Sequence, residues 1–281
     1  MIANARIYAV SPEVAGLWRA LLSAVIEQSG LAVTVIEHAE PAPMGALWAR
    51  TDKAAVFMCG LPFARAEPRP VLVAAPVPSP AEFNGQPRYW SNLVVRADSG
   101  FHTAADTFGR RIAFTTPDSQ SGYAAALSHF MSAGDRFPLF REIIAPQITP
   151  LGVLTAVLSG SAEVAPVDSY AFSLLQRYRP ELTSQLRIVA KTAPTPIPPL
   201  VASQPGLEAL ESAFLEADQH AGTKGLMAQL LLHRFVHPDA APYEVLRQSF
   251  EAATRYWREH PLAAVVHREF AALQHESKDA L

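Results

Sequence analysis

The chain has 281 residues, 49% of them apolar and 17% charged, and a formal net charge of −3. That length and apolar share supply one large core or two of ordinary size, and they exclude global disorder. The near-neutral balance, with no Lys/Arg block, leaves no electrostatic footprint for nucleic acid, and Cys59 as the single cysteine excludes an intramolecular disulfide framework.

From the start, Met1–Arg6 runs into a strand-like Arg6–Val10, without the basic start and apolar segment of a signal peptide. If the protein is exported, its signal is absent from this chain. No run reaches the ~20 consecutive apolar residues of a transmembrane helix, so no membrane insertion is expected. Ser11 reads as an N-cap with Pro12 at the first helical position and Glu13 in the first turn; the helix runs through Leu17, Leu21, Leu22 and Val25 and stops at Gly30. Strand Leu31–Ile36, a short helix over Met44–Ala49 and strand Ala54–Met58 complete a strand–helix alternation typical of a parallel sheet. Ligand-facing loops are then those after the C-terminal strand ends, and Cys59–Arg65 is one of them.

Strand Val71–Ala75 is followed by a proline-rich connection, Pro76–Pro87, that reads as a first passage between lobes. A second α/β series follows: strand Tyr89–Arg96, helix Thr103–Phe108, strand Arg111–Thr115, a helix to about Ala133, strand Phe140–Ala145, helix Pro150–Leu158, strand Ala162–Val167, helix Asp168–Tyr178 and strand Leu186–Ala190. Pro194, Pro196, Pro198 and Pro199 mark the return. The remainder is helical by pattern over Leu207–Asp218, Lys224–His233, Tyr243–Trp257 and Leu262–Leu273. The organisation expected is therefore a discontinuous first lobe, 1–87 and 195–281, with 88–194 inserted as the second and the C-terminal helices packed on lobe one. Such a chain binds a ligand between its lobes and closes by hinge motion.

Within the second series, Thr115–Tyr123 joins a strand to a helix through hydroxyls, a Pro117–Asp118 pair and Gly122. A helix entered this way turns unpaired N–H groups and its positive dipole end toward the loop, and Ser119 and Ser121 add donors. Locally, an oxyanion cradle and an ordinary capped turn remain alternatives.

The neighbouring motifs bear on that choice. Tyr89-Trp90-Ser91-Asn92-Leu93-Val94-Val95-Arg96-Ala97-Asp98-Ser99 resembles the opening of lobe two in the phosphate/phosphite/phosphonate family of ABC-transporter solute-binding proteins. Asp106–Ala113 is similar to that family's D-L-K-G-K-x-hydrophobic-A element, and Pro117–Gly122 to its D-x-x-S-x-S-G anion loop. Gly160–Ser169 resembles its G-x-hydrophobic-D-A-A-hydrophobic-D-S pattern with Glu163 displaced, and Lys191–Pro198 resembles its return hinge. The resemblance implies an α/β type II periplasmic-binding-protein clamshell. It implies Ser119, Gln120, Ser121, Gly122 and Tyr123 on an oxyanion, Tyr89 or Trp90 packed on the ligand, Asp168 and Tyr170 beside it, and Cys59 and Gly60 on the opposing wall. It also implies a small-molecule ligand, a periplasmic location and, if the protein is exported, an ABC permease as partner. Thr149-Pro150 stands where phosphonate binders of the family place a histidine, and Tyr170 and Pro198 stand where acidic partners hold a ligand ammonium. A small oxyanion or neutral heterocycle therefore fits better than an aminoalkylphosphonate.

Catalytic alternatives find less support. Neither Ser119 nor Ser121 sits in a G-x-S-x-G elbow. His233 and His237 have helical i,i+4 spacing but lack the zincin glutamate, and read as a surface pair. Cys59 reads as a small packed hydrophobe, and Trp18, Trp48 and Trp257 as core residues. No catalytic residue, metal or cofactor is expected. A cytoplasmic sensor of the same fold is the alternative function, and a pyrimidine-precursor-type enzyme a more distant one.

Overall fold

The computed structural model describes residues 1–40, 42–133, 137–266 and 270. These fall into two compact units: Met1–Arg88 with Pro196–Tyr243, and Tyr89–Thr195 with the described residues from Glu244 onward. The first unit contains β1 (Ile2–Asn4), α1 (Pro12–Ser29), β2 (Thr34–Val35), α2 (Met44–Trp48), β3 (Lys53–Phe57), α3 (Gly60–Arg65) and β4 (Val71–Pro78). The unit boundary passes through β5 (Arg88–Tyr89). The second unit contains β6 (Ser91–Arg96), β7 (Arg111–Ala113), α4 (Ala125–Phe130), β8 (Phe140–Ile144), α5 (Pro150–Leu158), β9 (Ala165–Asp168), α6 (Ser169–Tyr178), α7 (Pro180–Thr183) and β10 (Leu186–Lys191). The boundary is met again in β11 (Thr195–Pro196), which pairs with β5 as a two-stranded ribbon. Then come β12 (Leu200–Ala202), α8 (Glu208–Leu215), α9 (Ala221–Gln229) and β13 (Leu232–Val236) of the first unit, α10 (Ala241–Glu259), and β14 (Ala263–Val266) of the second.

In the first unit the described strands form one sheet, β13-β4-β12-β3-β1-β2, with β1 parallel to β2 and β3. α1 forms as its sequence dictates: Ser11 Oγ accepts from the Val14 N–H at 3.3 Å, Pro12 opens the first turn, and Gly30 closes the helix at φ 67°. α1 packs on α8 and α9. Tyr8, Trp18 and Phe57 form an aromatic knot, Phe57 meeting the other two edge-on with centroids 5.2 and 5.0 Å away. Lys53 is buried, its ammonium donating to the carbonyls of Trp48 (2.7 Å) and Arg50, and burial lowers its pKa. β4 continues through Pro76 and Pro78 because β12 pairs with it only over Val71–Ala74; beyond that, β13 is its one neighbour among the described strands.

In the second unit β6 lies between β9 and β10, antiparallel to both, and β7, β8 and β14 run parallel. Arg111 ties β7 to the start of β9's segment through Glu163, with Nη2–Oε1 at 2.8 Å and the Arg111 N–H on Oε2 at 2.8 Å. Burial pushes the Glu163 carboxyl up, but the hydrogen bonds from Arg111 outweigh it and hold the group below its ordinary value. Leu93, Ile112, Phe114, Phe130, Phe140 and Val164 anchor this unit's core.

Several sequence expectations are corrected. The first strand is Ile2–Asn4, not Arg6–Val10: Asn4 Oδ1 accepts from the Arg6 N–H at 2.9 Å, an Asx turn that ends the strand and leads into a 3₁₀ turn at Arg6–Tyr8. The helix expected over Lys224–His233 stops at Gln229, and Leu231, at φ 56°, turns the chain into strand β13. His233 therefore lies on strand β13 and His237 just past its end, where it pairs with Glu211 at 2.6 Å. The described residues from Glu244 onward belong to the second unit rather than to lobe one: Ala253, Leu262, Ala263 and Phe270 enter its core, and the Trp257 indole N–H donates to Leu127 O at 2.9 Å. The helix expected over Leu262–Leu273 is strand β14 where it begins; His267 and most of the rest lie outside the described residues.

Tyr243 is fully buried in the first unit and donates its hydroxyl to Ile197 O at 2.7 Å. Tyr243→Phe strands that carbonyl and is expected to cost about 1–2 kcal/mol in urea denaturation at unchanged m-value.

Candidate functional site

The Thr115–Tyr123 loop leaves the C-terminal end of β7, beside the parallel strand β8. Ser119 is the N-cap of the helix that follows, its Oγ accepting from the Gly122 N–H at 3.0 Å. That bond commits the Gly122 N–H internally, while the Ser119 hydroxyl keeps its own proton to donate. Gly122 is required by space: a Cβ there would lie 1.9 Å from Thr115 Oγ1 and 2.9 Å from Ser119 Oγ. Thr115 is buried, and its Oγ1 has no hydrogen-bond partner among the described residues.

The first turn is a π turn, Gln120–Ala124, before α4 continues regularly. Ala124 N donates to Ser119 O at 3.0 Å and Ala125 N to Gln120 O, each five residues back. From β6, Ser91 Oγ donates to Ser121 O at 2.7 Å. Ser91 is itself fixed by Thr192, whose Oγ1 accepts the Ser91 N–H and whose N–H returns to Ser91 O, both at 3.0 Å. Gln120 and Tyr123 are buried; the Tyr123 ring meets Phe114 and Phe270 edge-on, with centroids 5.1 and 5.3 Å away, inside the unit's core.

The other expected residues of the second unit gather around the same strand ends. Ser91 stands in register opposite Asp168. Asp168 caps α6, its Oδ1 accepting from the Ala171 N–H at 2.8 Å. Burial drives its carboxyl up to about 7, against the lowering effect of the Ala171 and Tyr170 N–H bonds. Tyr170 is buried, and burial raises its phenol well above the ordinary value. Tyr89 is fully buried. The Trp90 N–H donates to Ser169 Oγ at 3.1 Å and its carbonyl accepts from the Ser169 N–H at 2.9 Å, its indole N–H donates to Asn92 Oδ1 at 3.0 Å, and the Lys191 ammonium lies 4.9 Å from its ring centroid. Cys59 and Gly60 belong to the first unit, where buried Cys59 precedes α3 and its carbonyl accepts from Phe63 N at 3.0 Å.

Sequence reasoning passed over the segment after β8. Gln147 N donates to Phe114 O at 2.9 Å, which sets this segment beside the 115–123 loop. Ile148, a β-branched residue 46% exposed, is held at φ 59°, a conformation that costs about 1–3 kcal/mol. The following turn fits only because Gly152 lacks a Cβ, which would lie 2.0 Å from Gln147 O. Thr149 caps α5 through the Gly152 N–H at 3.1 Å. A lone Gly two residues after Pro150 was the available signal. Among the described residues no group of His, Cys, Asp or Glu is placed to hold a metal ion, and no helix is long and apolar enough to cross a membrane.

Residues 9–243 match the family model described as ABC transporter, phosphonate, periplasmic substrate-binding protein. No curated protein sequence is significantly similar to the chain. Among solved structures, the chain is similar to a binding-protein component of an ABC phosphonate transporter from Pseudomonas aeruginosa (TM-score 0.75, 20% identity, 99% of this chain and 96% of that one). It is also similar to PhnD1 from Prochlorococcus marinus in complex with methylphosphonate (0.72, 15%, 90% and 97%). A third, the arginine-, lysine-, histidine-binding protein ArtJ from Geobacillus stearothermophilus (0.55, 12%, 82% and 93%), shares the two-lobed type II periplasmic-binding-protein-like fold.

Two measurements check this geometry in the ligand-free protein. Gly122→Ala forces its Cβ into the Thr115 side chain and is expected to lose about 1–3 kcal/mol of stability. For Asp168, the folded carboxyl keeps its proton up to about 7 while the unfolded one releases it near 3.8. Its favourable contribution is thus present below the lower value and is lost as pH rises toward the upper one. Asp168→Asn keeps the capping oxygen, so the variant's Tm is expected to rise relative to wild type between pH 5 and pH 8.

Proposed function

The chain belongs to the periplasmic substrate-binding proteins of ABC phosphonate transporters, and from that premise we propose that it binds a small phosphonate-like oxyanion through the Ser119–Tyr123 turn. The family binds solutes and is not enzymatic; membership implies a small-molecule ligand and a permease as partner. The observation that carries the specific reading is the built state of the turn. Ser119 caps Gly122, Gly122 is pressed on Thr115, and Ser91 holds Ser121. These bonds leave the hydroxyl protons of Ser119 and Ser121, set at the positive end of the helix dipole, for an anion's oxygens.

The same residues argue against an amine-bearing solute. The carboxyl of Asp168 is turned to the α6 N–H groups and carries a proton up to about 7, so it offers little to an ammonium. Tyr170 is buried and not acidic, and Thr149, which caps α5, carries no charge. Closure of the two units about the β5–β11 ribbon would complete the site, because a ligand shifts a conformational equilibrium only through contacts it makes in one state. A periplasmic location for this chain goes with that role.

Titration calorimetry with methylphosphonate, phosphite, phosphate, sulfate and 2-aminoethylphosphonate tests the reading. Methylphosphonate or phosphite is expected to bind with low-micromolar affinity or better, on the order of −8 kcal/mol, and 2-aminoethylphosphonate roughly tenfold more weakly or worse. Ser119→Ala should weaken oxyanion binding and also cost about 1 kcal/mol without ligand, as lost caps do. Heat from none of these oxyanions would overturn the proposal.

A further inference from the structure

We propose, resting on the oxyanion reading above, that Ser91 is a positioning residue for the solute: its hydroxyl holds the first turn of the anion loop's helix in the π form and so sets the direction of that loop's donors. In a regular α-helix the Ser121 carbonyl would accept from the Ala125 N–H, four residues on. Here that carbonyl receives the Ser91 hydroxyl at 2.7 Å, and the Ala125 N–H goes to Gln120 O instead. A side chain inserted into the helical ladder is one of the recognised causes of such a distortion, and single π turns recur at functional sites.

The wedge is rigid where it must be. Ser91 is fully buried, is hydrogen-bonded by Thr192 on both backbone atoms, and stands opposite Asp168 in the β6–β9 pair. Its hydroxyl therefore approaches the loop from a strand held by neighbours on both sides. Residues of a helix are set about 100° apart around its axis. Removing the extra residue of the π turn would swing Ser119 and Gln120 by that angle relative to α4, and with them the donors proposed to face the solute. Ser91 needs no contact with the solute to control it.

The test is Ser91→Ala, read by NMR and by calorimetry with methylphosphonate. In wild-type protein the trans-hydrogen-bond scalar coupling of the Ala125 amide nitrogen is expected to the Gln120 carbonyl carbon. In Ser91→Ala it is expected to move to the Ser121 carbonyl carbon, with affinity falling roughly tenfold or more, and Ser91→Thr, which keeps the hydroxyl, should retain the wild-type coupling. A coupling that stays on Gln120 in Ser91→Ala, or wild-type affinity in that variant, overturns the proposal. Should Ser91→Ala fail to fold, Ser91→Cys, a weaker donor of similar size, is read the same way. If the wild-type protein binds no oxyanion, the oxyanion reading falls by itself, and the coupling alone decides whether Ser91 sets the turn.

Discussion

The close approach of Gly122 to Thr115 is the constraint on which the second unit's loop depends. With a would-be Cβ 1.9 Å from Thr115 Oγ1, only glycine lets the helix begin this near the end of β7. That nearness lets Ser119 Oγ reach the Gly122 N–H, and it brings the Ser121 carbonyl within range of Ser91 on β6. A helix set further out would have room for any residue, and no donor from the sheet could enter its ladder. One missing methyl group therefore admits the approach on which the Ser91 contact depends.

Electrostatics in this region are arranged by burial more than by ion pairs. Asp168 sits at a helix N-terminus, where a charged carboxylate is ordinarily favoured, yet its burial outweighs the two N–H bonds and holds it protonated to about 7. Glu163, on the same segment before β9, meets the opposite balance, because the Arg111 guanidinium and N–H reach both of its oxygens. Glu163 thus serves to tie β7 to β9, while Asp168 serves as a neutral-leaning cap. Neither offers a free negative charge to a cationic solute.

What the sequence made legible is what short-range chemistry decides. Ser11, Pro12 and Gly30 delimit α1, Ser119 caps the anion-loop helix, and Asp168 caps α6, each through bonds spanning a few residues. Illegible were the features settled by distant partners. Ile2–Asn4 is a strand because β2 and β3 flank it, although Ile7–Val10 has the stronger local pattern. Leu232–Val236 is a strand because β4 has an open edge beyond β12, not because of its own residues. The role of Ser91 depends on an acceptor 30 positions away in the chain, which its own strand does not reveal.

The division of the chain followed the same logic. Two proline clusters marked the β5 and β11 crossings because proline punctuates locally, whereas the third change of unit, at Tyr243–Glu244, falls inside the continuous helix α10 and leaves no such mark. A helix shows its apolar stripe in sequence but not which core that stripe will meet. Tyr243 enters the first unit through Ile197, and Ala253 and Trp257 enter the second, one through the core and the other through Leu127 O. α10 is amphipathic as a whole. The choice is made by which partner presents an unpaired carbonyl and an apolar hollow, and that is information the helix itself does not carry.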